Sequence, residues 1–177
     1  MPMKYTRAEI VKMCEDAARE DITTFYTKGF VNYRVKVKGN PDLYYTELIA
    51  EFIINHIDKF EKMKCLDKEH CVKMYNLHHT GECNPMTDCL EARTAIDMYK
   101  KSRSGHDMKY VGEIIDYHVP IKTKMTRTAG KIDLLSVTDD AVYAITLKRD
   151  DCKDTMLKCV LEAYTHIKMV NKQKLKK

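Results

Sequence analysis

The sequence predicts an α/β (α+β) protein in which a small mixed sheet flanked by helices follows a largely helical N-terminal region. Three observations carry this expectation. Residues 130–148 hold two short apolar runs on either side of an Asp-rich turn, which is the pattern of an antiparallel hairpin. Met156, Leu157, Val160, Leu161, Tyr164 and Ile167 then recur at helical spacing. Residues 1–110 carry mostly helical periodicity, so the sheet is expected within 113–148 and its following helix over 154–170.

At 177 residues the chain is expected to form one domain over 1–177, with 1–110 mostly helical and 111–170 as a sheet-and-helix core. Its 44% hydrophobic and 32% charged residues exclude a disordered chain. No apolar run approaches the ~20 residues that span a bilayer, and no secretory signal opens the chain, so no membrane partner is expected. Seven cysteines, an odd number without a signal, predict reduced thiols and a cytoplasmic setting. A net charge of +5 suits a polyanion such as DNA without requiring one.

In chain order, Thr6-Arg7-Ala8-Glu9 has capping-box spacing, and Ile10, Val11, Cys14, Ala17 and Ala18 mark the buried stripe of a first helix. Val31, Tyr33, Val35 and Val37 alternate with Asn32, Arg34, Lys36 and Lys38, which predicts a strand with one basic face. It ends at Gly39-Asn40-Pro41-Asp42. Ile49, Phe52, Ile53, Ile57 and Phe60 predict a helix from Tyr45 to about Met63, with Glu47 and Glu51 on one face. Asp88 and Glu91 start a further helix through Ile96 and Tyr99. It closes on the basic run Lys100-Lys101-Ser102-Arg103-Ser104-Gly105, a candidate loop over a phosphate backbone or a solvated linker.

Between these helices lies a second constellation: Cys65, His70, Cys71, His78, His79, Cys83 and Cys89. Thiolates from Cys65, Cys71, Cys83 and Cys89 are the candidate ligands of a structural zinc, which would make this an interaction module. The spacing argues against it, because both cysteine pairs are Cys-x5-Cys rather than the Cys-x2–4-Cys of zinc sites.

Glu113 to Ile121 reads as the strand before the hairpin, and Lys122, Lys124, Arg127 and Lys131 make the best-placed basic patch for nucleic acid. Within the hairpin, Val142, Ala144, Thr146 and Lys148 share one face, while Tyr143, Ile145 and Leu147 take the other. Asp133 is thereby expected to meet Thr146 and Lys148 across the sheet. On spacing alone, an Asp near a Lys also reads as a rim ion pair.

Gly130-Lys131-Ile132-Asp133, a hairpin, a strand ending in Thr146-Leu147-Lys148 and an amphipathic helix follow in the order Gly-x-x-Asp, hairpin, x-Leu-Lys, helix. That order resembles the PD-(D/E)XK nuclease superfamily. The text from Lys148-Arg149-Asp150-Asp151 to Thr165 is similar to a bacterial branch related to recombination-type exonuclease modules. Ile115-Asp116-Tyr117-His118-Val119-Pro120 fits the first strand of the same core, and Tyr164 matches the helical tyrosine of the superfamily. The resemblance runs from Glu113 to Val170, about a third of the chain.

The resemblance implies a restriction-endonuclease-like core whose final strand is missing, since members add at least one strand after this helix. It also implies a deoxyribonuclease dependent on Mg2+ or Mn2+. Asp133 would be one catalytic, metal-binding carboxylate, residue 146 the second, the Leu147 carbonyl a third ligand, and Lys148 the group that orients water or stabilises charge. A glutamate from a helix before the sheet would join the site, and Glu51 is the candidate. Thr146 departs from the family, because its hydroxyl stands where the second acid belongs. The site falls from two anions to one, and activity is expected to be impaired or lost unless Glu51 or Glu162 replaces the acid. A non-catalytic nucleic-acid-binding module on the same fold is the alternative.

Overall fold

Thr6 caps the first helix in the way its sequence predicts. In the computed structural model, which describes residues 4–65, 90–121, 130–149 and 151–170, its hydroxyl accepts the Glu9 amide while the Glu9 carboxylate accepts the Thr6 amide at 2.7 Å. Helix α1 (Arg7–Asp21) buries Ile10, Cys14 and Ala17. After two short 3-10 turns come α2 (Tyr45–Asn55), α3 (Ile57–Glu61), α4 (Leu90–Arg103), three strands, and α5 (Met156–Met169). The strands are β1 (Glu113–Pro120), β2 (Lys131–Val137) and β3 (Val142–Ile145). The protein is thus mixed α+β. Among the described residues no helix is long and apolar enough to cross a membrane.

The chain divides into two compact units, Met1–Lys64 with Lys153–Lys168, and Cys65–Cys152 with Met169–Lys177. In the first, Phe25 is the centre of an aromatic cluster. It stacks on Phe52 at 6.4 Å between centroids and meets Phe60 edge-on at 5.3 Å. Helix α5 contributes Leu161 to this core and is tied down at its start. The Thr155 hydroxyl donates to the Val31 carbonyl at 3.2 Å, and the Asn32 side chain accepts the Thr155 amide at 2.6 Å. Thr155 also accepts the Lys158 amide, so it is the N-cap of α5.

Two expectations fail in this unit. The strand predicted over 31–38 begins in a 3-10 turn (Gly29–Asn32), and its only bridge among the described residues is Lys36 with Tyr44. The alternation is satisfied by helices instead, since Val31 and Val37 are buried in the helical core. Two of the three basic residues are also engaged: Arg34 donates to the Asp154 carbonyl at 2.9 Å, and Lys36 lies 5.3 Å from the Tyr44 ring centroid. The helix predicted from Tyr45 to about Met63 breaks at His56, whose backbone leaves the helical region (φ −125°, ψ 25°). The His56 ring stacks on Phe52 at 4.3 Å with Nδ1 2.8 Å from the Phe52 carbonyl, and Ile57 turns outward rather than into the core.

The second unit is built on the sheet, in the order β1-β2-β3. Both pairings are antiparallel rather than mixed, because successive strands return directly on one another. Leu134 and Ile145 join Ala95, Ile96 and Tyr117 in one cluster, to which α4 contributes, while Leu135 and Ala144 join Val119 and Ile132 in another. β1 carries one bulge between Ile114 and Asp116, which shifts its register by a residue.

Candidate functional site

The hairpin forms as its sequence predicts. Thr138 and Ala141 close the Asp139-Asp140 turn through a 2.9 Å backbone hydrogen bond, and the Thr138 hydroxyl accepts the Ala141 amide. Val137 pairs with Val142 and Leu134 with Ile145, so Asp133 and Thr146 are the next residues along the same register. The ladder ends there. β3 stops at Ile145, where the sequence predicts a strand through Lys148. The Asp133 carboxylate gives the physical reason: its Oδ2 accepts the Leu147 amide at 2.8 Å, so a side chain replaces the backbone partner that another rung would use.

This geometry sets what the site can do. Asp133 and Thr146 are half-buried, whereas Lys148 lies exposed beyond the strand, where alternation no longer dictates its face. Within the hairpin, the described side-chain donors at its end are one carboxylate, with one oxygen accepting an amide, and one hydroxyl. That falls short of the two anions implied by the resemblance, and among the described residues no three His, Cys, Asp or Glu side chains gather as a metal-holding group. Among the described residues, this donor set does not fit a resident divalent ion. Leu147 meets Asp133 through its amide rather than through the carbonyl that the resemblance implies as a ligand.

The register also brings in a residue that sequence reasoning missed. Tyr117 pairs with Leu134 and Val119 with Ile132, which sets His118 of β1 opposite Asp133. His118 is the one non-glycine described residue at positive φ, +52°, a conformation costly for any residue with a Cβ and one that collects at constrained sites. Only the pairing of β1 with β2 reveals this position, because His118 and Asp133 are far apart in sequence.

The remaining candidates are placed as follows. Glu51 belongs to the first unit, where its two oxygens accept the Arg7 guanidinium at 2.9 and 3.0 Å on an exposed helix face. Glu162 and Tyr164 lie on α5, Tyr164 packing against the first unit's core under the Lys168 ammonium at 5.4 Å from its ring centroid. Lys131 is exposed at the start of β2, while Lys122, Lys124 and Arg127 lie outside the described residues. Cys65 is exposed, and Cys71, Cys83 and Cys89, with His70, His78 and His79, also lie outside them. Beyond the hairpin, Arg149 clamps Asp151 through two hydrogen bonds of 2.8 and 3.0 Å, which hold that carboxyl below its usual range. Compared with known protein families, curated proteins and solved structures, the chain matches none.

Proposed function

We propose that this chain is a nucleic-acid-binding module on a PD-(D/E)XK-like core whose phosphodiester hydrolysis is disabled at Thr146. The observation that carries the reading is the Asp133 carboxylate turned to the Leu147 amide, with a threonine next to it in the register. The order of elements supports it: a helix, three antiparallel strands, then a helix, with the acid on the middle strand as the resemblance implies. A single carboxylate is a poor anchor for a divalent ion in the absence of substrate phosphate. Binding does not need the ion. Lys131, with Lys122, Lys124 and Arg127 before it in sequence, supplies cations for a phosphate backbone, and the chain as a whole carries +5.

The test is DNA binding and cleavage by the same preparation. The chain is expected to bind DNA at low salt with affinity falling steeply as salt rises, and to leave it intact in Mg2+ or Mn2+. Thr146→Glu places a second anion beside Asp133, so calorimetry should show tighter Mn2+ binding and DNA should be nicked in that ion. Lys148→Ala in the Thr146→Glu background should then lower the rate by about 10²–10³. Cleavage by the unmodified chain would overturn the disabled-site reading and favour an active phosphodiesterase. Failure to bind any DNA at low salt would overturn the proposal entirely.

A further inference from the structure

The end of α4 and the segment after it form a closed loop with its own chemistry. At the neck, the Ser102 hydroxyl accepts the Ile114 amide at 2.9 Å, and Arg103 pairs with Glu113 at 3.6 Å. Inside the neck, the His106 amide donates to the Lys101 carbonyl and the Gly105 amide to the Ser102 carbonyl, both at 3.1 Å. Gly105, at φ +82°, makes the left-handed turn that this Schellman arrangement requires. The Ser104 hydroxyl lies 3.0 Å from the Lys100 carbonyl and 2.9 Å from that of Lys101, so the last carbonyls of the helix are satisfied without any lysine.

The tip is fixed as well. Val111 and Gly112 both donate their amides to the Met108 carbonyl, at 2.8 and 3.1 Å, and the Met108 side chain packs against the cluster around Ala95 and Ile114. Gly112 presses on the sheet so closely that a Cβ there would lie 2.2 Å from the Val137 carbonyl oxygen. Between these anchors Tyr110 is 89% exposed, with the Lys109 ammonium 5.6 Å from its ring centroid. Lys100, Lys101 and Lys109 are exposed and form no ion pair among the described residues.

A compact loop of this kind, closed at its neck, is a common carrier of function. Here it holds an aromatic ring out in water with the Lys109 ammonium close to it, and the last turn of α4 leads into it with Lys100 and Lys101, which are exposed and form no ion pair among the described residues. Lysines in a last helical turn also complement the helix dipole, but that accounts for neither Lys109 nor the displayed ring. From this arrangement we infer that the 100–112 loop is a docking surface for single-stranded nucleic acid, with a base stacking on Tyr110 and Lys100, Lys101 and Lys109 on the phosphates. A paired duplex keeps its base faces stacked inside and has none to offer Tyr110, so the loop distinguishes unpaired from paired strands. The inference rests on the proposed nucleic-acid-binding function and specifies its substrate class.

The experiment measures binding of one mixed-sequence oligonucleotide as single-stranded DNA, as RNA and as duplex DNA, across a salt series. Tyr110→Ala should weaken single-strand binding roughly tenfold and leave the duplex unchanged, while Tyr110→Phe, which keeps the ring, should bind as the unmodified chain does. Replacing Lys100, Lys101 and Lys109 together by Ala should reduce the salt slope for single strands by about 2. All four side chains are exposed, so circular dichroism should report an unchanged fold. The DNA and RNA arms tell which strand is preferred. Undiminished single-strand binding by Tyr110→Ala, or an equal loss for duplex, overturns the inference. Binding that survives both loop variants and disappears when Lys122, Lys124, Arg127 and Lys131 are neutralised overturns the loop and keeps the proposed function. No binding of any oligonucleotide overturns both.

Discussion

Cys14 shows how far a single side chain depends on its surroundings. It lies on the inner face of α1, fully buried with Ile10 and Ala17. Desolvation pushes its thiol up to about 12, and the nearby Glu15 carboxylate acts in the same direction. The thiol is an acid held neutral by the fold, so it contributes no pH dependence below its unfolded pKa. Above that value the unfolded chain ionises while the folded one does not, and stability falls as pH rises towards 12. The expected loss is about 1.4 kcal/mol per pH unit in that window. Urea unfolding at pH 8 and pH 10 checks it: the unmodified chain should lose more stability between them than Cys14→Ala does, and equal losses would refute the burial argument. In the folded protein, Cys14 should also resist alkylation at pH 8, since the thiolate is the reacting form. Asp133 makes the complementary case, a half-buried polar side chain whose Oδ2 accepts a backbone amide.

At the scale of elements, two glycines separate conformational strain from steric clash. Gly105 ends α4 at φ +82° with nothing within 4 Å of where a Cβ would stand. Gly112 sits at φ +73° with the Val137 carbonyl oxygen only 2.2 Å from that position. Gly105→Ala should therefore cost about 1 kcal/mol, from left-handed strain alone. Gly112→Ala adds the displacement of β2 backbone and should cost roughly 3 kcal/mol or more. Denaturant unfolding gives the two values, and hydrogen exchange should show lost protection at the start of β1 in Gly112→Ala only. Similar costs for the two variants would mean that β2 yields easily and that the tip of the 100–112 loop is not pinned.

At the scale of the whole molecule, the first unit is assembled from distant parts of the chain. Residues 4–64 provide the aromatic cluster, and α5 returns to supply Leu161 and the Thr155 cap. Leu161→Ala removes a side chain that is 6% exposed, and comparable core truncations cost about 2–5 kcal/mol. Amide exchange should localise the damage: α1 and α2 should lose protection well before β1, β2 and β3. Uniform loss across both sets would show that the two units unfold as one.

What the sequence determined by itself is what depends on a few neighbouring residues. The Thr6–Glu9 capping box, the helix closing on Lys100–Gly105, the hairpin turning at Asp139-Asp140 and the amphipathic stripe of α5 all rest on contacts within about one turn of helix or one reverse turn. Tertiary structure decided what depends on a distant partner. Val31–Lys38 alternates like a strand, yet helices rather than a neighbouring strand cover its valines. β3 ends early because Asp133, fourteen residues away, takes the Leu147 amide. His118 reaches the row of Asp133 only through a pairing that spans the connection between β1 and β2. The neck of the 100–112 loop is a hydrogen bond from Ile114 back to Ser102. Local pattern sets which conformations are favourable for a segment. Which partner satisfies its backbone amides and its buried faces is settled only when the rest of the chain has folded against it.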